Sequence, residues 1–189
     1  MDKLEKAIIF ATKAHKGKRR KMTGVPAILH SLEAAAIVAS VTDDEDVICA
    51  AVLHDVVEDT EYTMKDIEEE FGEKIAKLVG SETENKRAEL PPSATWKIRK
   101  EETLAHLRQT SDKNVKILWL GDKLSNMRSI LGEYLKHGDQ IWKFFNESDK
   151  NKQKWYYESI AEIIKADFND LPAFCEYERL VNTVFKKEK

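Results

Sequence analysis

The segment from Val47 to Val57 is apolar at nearly every position, and it restricts the fold more than any other part of the chain. Apolar residues surround the whole circumference of a helix built from it, so this helix is predicted to be central and buried. The helix is predicted to begin near Glu45 and to contain the stretch VLHDVVEDT as its last part. That stretch holds a histidine and three acidic residues, and burying unpaired charge costs several kcal/mol. These polar residues therefore need a compensating partner.

Helical spacing of apolar residues continues through most of the chain. A first helix is predicted to end near Gly17, and a second follows Pro26. The apolar run 115–119 fits a strand by itself, but apolar residues continue at helical spacing to Leu131, so one helix is predicted there. Thr63 with Asp66 has the pattern of a capping box. Further helices are predicted around 141–145, 155–166 and 174–185, with a loop at 81–93. The chain is therefore predicted to be all-α.

Length and charge restrict the class of protein. The 189 residues fit one domain, predicted to span residues 1–189. A formal net charge of −3 argues against a surface built for nucleic acid. Cys49 and Cys175 lack zinc-site or CxxC spacing and are predicted to be buried free thiols. Without a signal-peptide core or a run of roughly 18 apolar residues, the protein is predicted to be cytoplasmic and to have no membrane contact.

The acidic residues of VLHDVVEDT permit two interpretations. On a helix, His54 and Asp55 point about 100° apart and can both reach one ion, while Glu58 and Asp59 lie one turn further along the same face. Such a cluster repels itself unless a cation lies among its members. The alternative is a solvated helix end, in which the acids face water and His54 is a hydrogen-bonded core residue.

Two residues elsewhere extend the metal interpretation. His30 lies at the start of the second helix, and Asp122 interrupts the apolar helix at WLGDKLSNM. Each alone fits a structural role. Together with His54 and Asp55 they provide two imidazoles and two carboxylates, a set that suits Mn, Fe, Co, Ni or Zn better than Ca or Mg.

Four sequence blocks resemble one branch of the HD-domain metal-dependent phosphohydrolases. AHKGKRRKMTGVPAILH, AAVLHDVVEDT, FGEKIAKLV and VKILWLGDKLSNMRSI are similar, in this order, to the hydrolase domain of RelA/SpoT proteins and to stand-alone small alarmone hydrolases of the metazoan SpoT homologue type. The resemblance covers most of residues 1–165 and is loose between Glu82 and Trp96. It implies a single HD-domain helical bundle.

The resemblance also implies roles for the polar residues of these blocks. His30, His54, Asp55 and Asp122 would hold a divalent metal, most commonly manganese in the family. Glu58 and Asp59 would position or deprotonate the attacking water. A bound cation and a neighbouring carboxylate suit this chemistry, since one neutralises phosphoryl charge and the other handles the proton.

Substrate-binding residues are implied in the basic loop HKGKRRKMTG. Arg20 would stack on the purine, and Lys21, with Thr23 beside it, would help to hold the nucleotide. An Arg plane stacks on a base, whereas Lys is a compact charge for phosphate. The alternatives are a solvated basic loop or a nucleic-acid patch, and without the metal set the solvated loop is favoured.

Further substrate contacts are implied by the resemblance in the second half of the chain. Asn126, one turn after Asp122, would contact the nucleoside, with Lys123 assisting. In KQKWYYESIAEII, Tyr156 would wall the nucleoside and Lys152 would approach the distal phosphates. Exposed helix positions, or a core position for Tyr156, are the alternatives.

The implied activity is a manganese-dependent 3′-pyrophosphohydrolase that releases pyrophosphate from ppGpp-type nucleotides. Related substrates are ppApp, NADPH, or nucleoside 5′-monophosphates for a more general nucleotidase. A non-enzymatic alternative is a nucleotide-binding module that has kept the fold. The sequence favours a small nucleotide as the partner over nucleic acid or membrane, and it makes no prediction of oligomeric state.

Overall fold

A computed structural model describes residues 2–87 and 89–185. Within these residues the chain consists of helices, loops and one isolated antiparallel bridge between Arg19 and Pro26. The α-helices are α1 (Lys3–Ala14), α2 (Ile28–Ala39), α3 (Glu45–Leu53), α4 (Val56–Asp59), α5 (Met64–Phe71), α6 (Glu73–Glu82), α7 (Pro92–Gln109), α8 (Lys113–His137), α9 (Lys150–Phe168) and α10 (Pro172–Phe185). A 3-10 helix, Gly138–Phe144, connects α8 to α9. The all-α prediction is confirmed, and 115–131 belongs to one helix as predicted.

Helix α3 is buried as predicted, but the prediction of one continuous helix through VLHDVVEDT is wrong. The helix ends at Leu53, two turn residues follow, and α4 begins at Val56. His54 Nδ1 lies 2.8 Å from the carbonyl oxygen of Ala51, the oxygen that the amide of Asp55 would use in a continuous helix. The ring therefore competes with the backbone where the helix is interrupted, and His54 and Asp55 lie at the junction between α3 and α4.

A close crossing of α2 and α8 aligns the other two predicted ligands. A Cβ atom at Gly121 would lie 2.6 Å from Val38 Cγ2 and 3.0 Å from the carbonyl oxygen of Ala34, so only glycine permits this approach. His30 lies one turn before Ala34 on α2, and Asp122 directly follows Gly121 on α8. The small residues at the crossing thus bring His30 and Asp122 to the same level.

Local signals account for several helix boundaries. The capping box of Thr63 and Asp66 is present at the start of α5. Gly72 separates α5 from α6 with a φ of 88°, a conformation that favours glycine. Helix α7 begins at Pro92, two residues earlier than predicted, because proline is well suited to the first helical position.

The prediction of two buried thiols is correct for Cys49 and wrong for Cys175. Cys175 is exposed because α10 turns Phe174, Tyr177 and Val181 toward the core, which leaves position 175 on the outer face. Every helix among residues 2–87 and 89–185 is too short or too polar to cross a bilayer. The predicted domain bounds 1–189 include residues 1 and 186–189, which lie outside the described residues.

Candidate active site

The four predicted metal ligands converge where α2 and α8 meet the α3–α4 junction. His30 Nε2 lies 2.9 Å from Asp122 Oδ1 and 3.3 Å from His54 Nε2. The oxygens of Asp55 lie 3.4 Å from His54 Nε2 and 3.6 Å from His30 Nε2. Ligand atoms that share one ion at about 2.0–2.2 Å are about 3–4 Å apart. His30, His54 and Asp122 offer ligand atoms that all lie within 4.8 Å of one another, the spacing of one shared coordination sphere, and Asp55 borders this set through its two oxygens.

Hydrogen bonds on the far side of each ring aim both imidazoles into this site. His54 Nδ1 faces the carbonyl oxygen of Ala51, which only accepts, so Nδ1 carries the hydrogen and Nε2 is directed inward. His30 Nδ1 lies 2.9 Å from Ser125 Oγ, so its Nε2 is also directed inward. Two imidazole nitrogens 3.3 Å apart need a shared proton or a cation between them. Together with two carboxylates, this donor set fits a divalent metal ion.

The electrostatics of the site also favour a cation. Burial opposes charge on His54, but the carboxylates of Asp55 and Asp122 outweigh it and raise the His54 pKa well above its ordinary value. Burial likewise opposes ionisation of Asp122, but the paired ammonium of Lys123 and the two histidines hold its pKa well below the usual range. A field that retains a proton on a buried histidine also stabilises a metal cation.

Glu58 and Asp59 occupy different environments although they are adjacent on α4. The side chain of Glu58 is 23% exposed, and burial, followed by the charge of Asp55, raises its pKa. Asp59 is 47% exposed, and its Oδ1 lies 2.8 Å from Lys86 Nζ. A carboxyl group with a raised pKa beside a metal site is suited to accept a proton near neutral pH. Glu58 fits this role better than the solvated Asp59.

Two adjoining cavities open onto the centre. The inner cavity, of about 270 Å³, is lined by the four predicted ligands and Glu58, and the outer cavity, of about 490 Å³, is lined by the basic loop. The residues that line both are Arg20, Asp55, Asp59, Asn126, Phe145 and Asn146. A small molecule that spans this junction would place one end at the predicted metal ligands and the other beside the basic loop.

The basic loop folds back on itself and presents its side chains to the outer cavity. The amide of Arg20 donates to the carbonyl oxygen of Val25 over 2.9 Å, and Gly24 closes the turn with a φ of 69°. Lys21 and Thr23 line the outer cavity together with Arg20. The structure therefore brings the three predicted residues of this loop to one wall.

Asn126 links the loop to the centre. Its Oδ1 accepts from an Arg20 guanidinium nitrogen over 2.5 Å, and its Nδ2 donates to Asp122 Oδ1 over 2.7 Å. Asn126 lies one turn after Asp122 on α8, so both side chains reach the same edge of the cavity. The position of Arg20 is thereby tied to the metal ligands.

The inner cavity contains charged residues that sequence reasoning missed. Besides Lys123 and the buried Tyr156, it is lined by Glu84, Arg99 and Lys100. Glu84 lies 2.6 Å from Arg99 and 2.7 Å from Lys100, and the Lys100 ammonium lies 4.7 Å from the centre of the Tyr156 ring. Tyr156 thus faces the cations of the inner cavity, whereas the sequence predicts that it walls the nucleoside. The cations offer anion-binding capacity beside the metal ligands.

Glu82 is a further acid of the inner cavity. It is 7% exposed, and within the described residues neither carboxylate oxygen has a hydrogen-bond partner. Burial and the charge of Asp122 raise its pKa to about 8. A signal for it exists in the sequence, since Glu82 continues the buried helical register of Ile75, Leu78 and Val79.

Lys152 lies away from both cavities. It is exposed at the start of α9, and its Nζ lies 2.6 Å from Glu147 Oε2. It contributes instead to a separate surface depression with Trp96 and Trp155. The expected approach of Lys152 to the phosphates is therefore incorrect in this structure, because the first turn of α9 points it to solvent.

Comparison with known proteins identifies relatives of this chain. A family model described as HD domain matches residues 7–147. Guanosine-3′,5′-bis(diphosphate) 3′-pyrophosphohydrolase from Aquifex aeolicus is 31% identical, in an alignment that covers 100% of this chain and 26% of that protein. GTP pyrophosphokinase rsh from Brucella ovis is 36% identical over 67% of this chain and 17% of its own length. The chain thus spans about a quarter or less of these curated relatives.

Solved structures share the fold. The crystal structure of lmo0812 from Listeria monocytogenes EGD-e is 38% identical, with a TM-score of 0.71 over 84% of this chain and 94% of that one. The structure of a metazoan ortholog of SpoT that hydrolyzes ppGpp has a TM-score of 0.73 at 22% identity, over 97% of this chain and 96% of that one. The second likeness, at this low identity, concerns the fold.

Proposed function

We propose a metal-dependent phosphohydrolase function for this chain because it belongs to the HD-domain family. The proposed reaction is the removal of pyrophosphate from the 3′ position of ppGpp or pppGpp, which leaves GDP or GTP. The observation that carries the proposal is the convergence of His30, His54, Asp55 and Asp122 beside the half-buried Glu58. The Aquifex aeolicus relative, named for this reaction, supports the choice of substrate.

The four convergent side chains would hold a divalent cation, for which we propose manganese. Such an ion lowers the pKa of water and neutralises charge on phosphoryl oxygens. Glu58, with its raised pKa and its place at the inner cavity, would accept the proton of the attacking water. Asp59 would help to position that water from the junction of the two cavities.

The remaining polar residues would orient the nucleotide across both cavities. Lys123, together with Arg99 and Lys100, would neutralise the 3′-diphosphate in the inner cavity. Arg20, held by Asn126, would stack on the base at the entrance of the outer cavity, where Lys21 and Thr23 would contact the rest of the nucleotide. Tyr156 would close the inner wall. The substrate would thereby be bound with its 3′ side toward Glu58.

Product formation from four nucleotides tests the proposed function. Metal-stripped protein resupplied with manganese is incubated in parallel with ppGpp, ppApp, NADPH and dGMP. We expect manganese-dependent release of pyrophosphate from ppGpp. Pyrophosphate release from ppApp but not from ppGpp would support the proposed reaction and show that the preferred base is adenine. Phosphate release restricted to NADPH or dGMP would replace the proposed substrate by one of these alternatives, and lack of turnover on all four would favour a nucleotide-binding module.

Substitution of Arg20 tests the orientation of the nucleotide. We expect Arg20→Ala to raise the KM for ppGpp about 5- to 150-fold, because stacking on one base contributes about 1–3 kcal/mol. Lys152→Ala is the matched control, since Lys152 is an exposed cation outside both cavities. The KM of this variant should stay within about twofold of the value for the unmodified protein. Steady-state kinetics of the two variants measure this difference. An equal KM for Arg20→Ala and the unmodified protein would place the base elsewhere.

The remaining sequence-based expectations also stay proposals. They are a single HD-type domain over residues 1–189, a cytoplasmic location, and a small nucleotide in place of nucleic acid as the partner. The basic loop is the one feature among the described residues that motivates a nucleic-acid test. RNA or DNA binding that weakens steeply with salt would contradict this part of the proposal.

A further inference from the structure

A hydrogen-bonded chain extends from the predicted ligand His30 away from the metal site. His30 Nδ1 lies 2.9 Å from Ser125 Oγ, and Ser125 Oγ lies 2.7 Å from Glu33 Oε2. Ser125 is fully buried and His30 is 6% exposed, so water has little access to the inner part of this chain. Ser125 lies on α8, whereas His30 and Glu33 lie one turn apart on α2.

The number of available hydrogens determines the direction of these hydrogen bonds. A serine hydroxyl has one hydrogen, and an ionised carboxylate can only accept. Ser125 therefore donates to Glu33 and accepts from His30 Nδ1, which must carry the hydrogen of the neutral ring. The lone pair of Nε2 is then free for a metal ion, whereas without metal the Asp122 carboxylate, 2.9 Å away, competes for hydrogen at Nε2.

The outer end of the chain is held by charge. An Arg128 guanidinium nitrogen lies 3.2 Å from Glu33 Oε1, and Arg128 also forms two 2.8 Å hydrogen bonds with Glu176 of α10. Arg128 thereby holds the Glu33 carboxylate in position beside Ser125. Glu176 holds only Arg128 and makes no hydrogen bond to Ser125 in the described structure.

We propose that Ser125 and Glu33 are positioning residues that fix His30 in the tautomer able to bind the metal. The inference rests on the proposed metal-dependent function, but it concerns metal affinity and needs no substrate. Groups that hydrogen-bond to the far nitrogen of a metal-binding histidine typically change metal affinity 10- to 100-fold. Neither residue touches the reacting atoms, so their effect acts through His30.

Manganese affinity of three variants tests the inference. We expect Ser125→Ala and Glu33→Ala each to weaken manganese binding by about 10- to 100-fold. Glu176→Ala is the matched control, because it also removes a carboxylate partner of Arg128, and its affinity should stay within about threefold. Free manganese is titrated by its electron paramagnetic resonance signal. Glu33 is partly exposed, so Glu33→Ala keeps the test valid if Ser125→Ala does not fold.

A second readout separates tautomer control from general loosening of the fold. Long-range ¹⁵N–¹H spectra of the metal-free proteins at alkaline pH report which nitrogen of His30 carries hydrogen. The fraction of His30 with hydrogen on Nδ1 should be higher in the unmodified protein and in Glu176→Ala than in Ser125→Ala and Glu33→Ala, in which the Asp122 carboxylate draws the hydrogen to Nε2.

Two outcomes would contradict this inference and leave the proposed function intact. They are equally tight manganese binding in all variants, or equal weakening of manganese binding in Glu33→Ala and Glu176→Ala. Absence of binding by the unmodified protein would instead contradict the proposed function and, with it, this inference.

Discussion

Replacement of Glu58 by glutamine is expected to lower kcat by a factor of about 10² to 10⁴, the usual contribution of a general base. Glu58 faces the inner cavity beside Asp55, and burial raises its pKa, so its carboxylate is suited to accept a proton there. Glutamine has nearly the same shape but cannot accept the proton. Because Glu58 is outside the set of four convergent ligands, the variant should retain its manganese.

Two companion variants separate proton transfer from metal binding. Asp55→Ala should lose the metal, since its oxygens lie within 3.6 Å of both ring nitrogens. Asp59→Asn should lower kcat less than Glu58→Gln, because Asp59 is about half exposed and paired with Lys86. Metal content by mass spectrometry and kcat for pyrophosphate release are measured on the same samples. Equal metal loss in Glu58→Gln and Asp55→Ala would refute the separate roles.

Apolar periodicity was sufficient to predict the helical fold, because each long helix buries one continuous stripe. The polar residues within those stripes, His54 and Asp122, indicated a site for the same reason: a charged group in a buried register needs a partner. Glu82 has the same signal in α6 but lies in the segment that resembles the family only loosely. Its relation to the metal ligands depends on how α6 packs against α3 and α8, which periodicity does not contain.

Side-chain direction was the least predictable property. The interruption after Leu53 depends on a hydrogen bond between the His54 ring and a backbone carbonyl, and such competition has no periodic signature. Lys152 shares the segment of Tyr156, yet one faces Glu147 at the surface and the other the inner cavity. Residues four positions apart lie on the same face of a helix but about 6 Å apart along its axis, so Lys152 lies beyond the site because it is one turn nearer the start of α9.

Glu82→Gln is expected to stabilise the metal-free protein, and the gain should increase with pH. The folded pKa of about 8 lies above the ordinary value of 4.5, so the native state binds more protons than the unfolded chain between these values. The free energy of unfolding therefore falls as pH rises through this window. The upper limit of the loss is about 1.4 kcal/mol for each unit of pKa difference, and relaxation of the site reduces the loss. Glutamine removes this titration. The charges around Glu82 that set its pKa are those of Asp122, Lys123, His54 and Asp55.

Glu84→Gln provides a control of opposite sign two residues away. Although burial opposes its ionisation, Lys100 and Arg99 lower the pKa of Glu84, so its carboxylate stabilises the fold at neutral pH and loses that contribution as pH falls through the folded pKa. Its removal leaves buried cations unpaired and should destabilise the protein. Urea unfolding of chelator-treated protein at pH 5 and pH 9 measures both variants. A Glu82→Gln variant that is less stable than the unmodified protein at pH 9 would contradict this prediction. Glu82 would then be ionised and stabilised by a partner, and the inner cavity would carry one more negative charge.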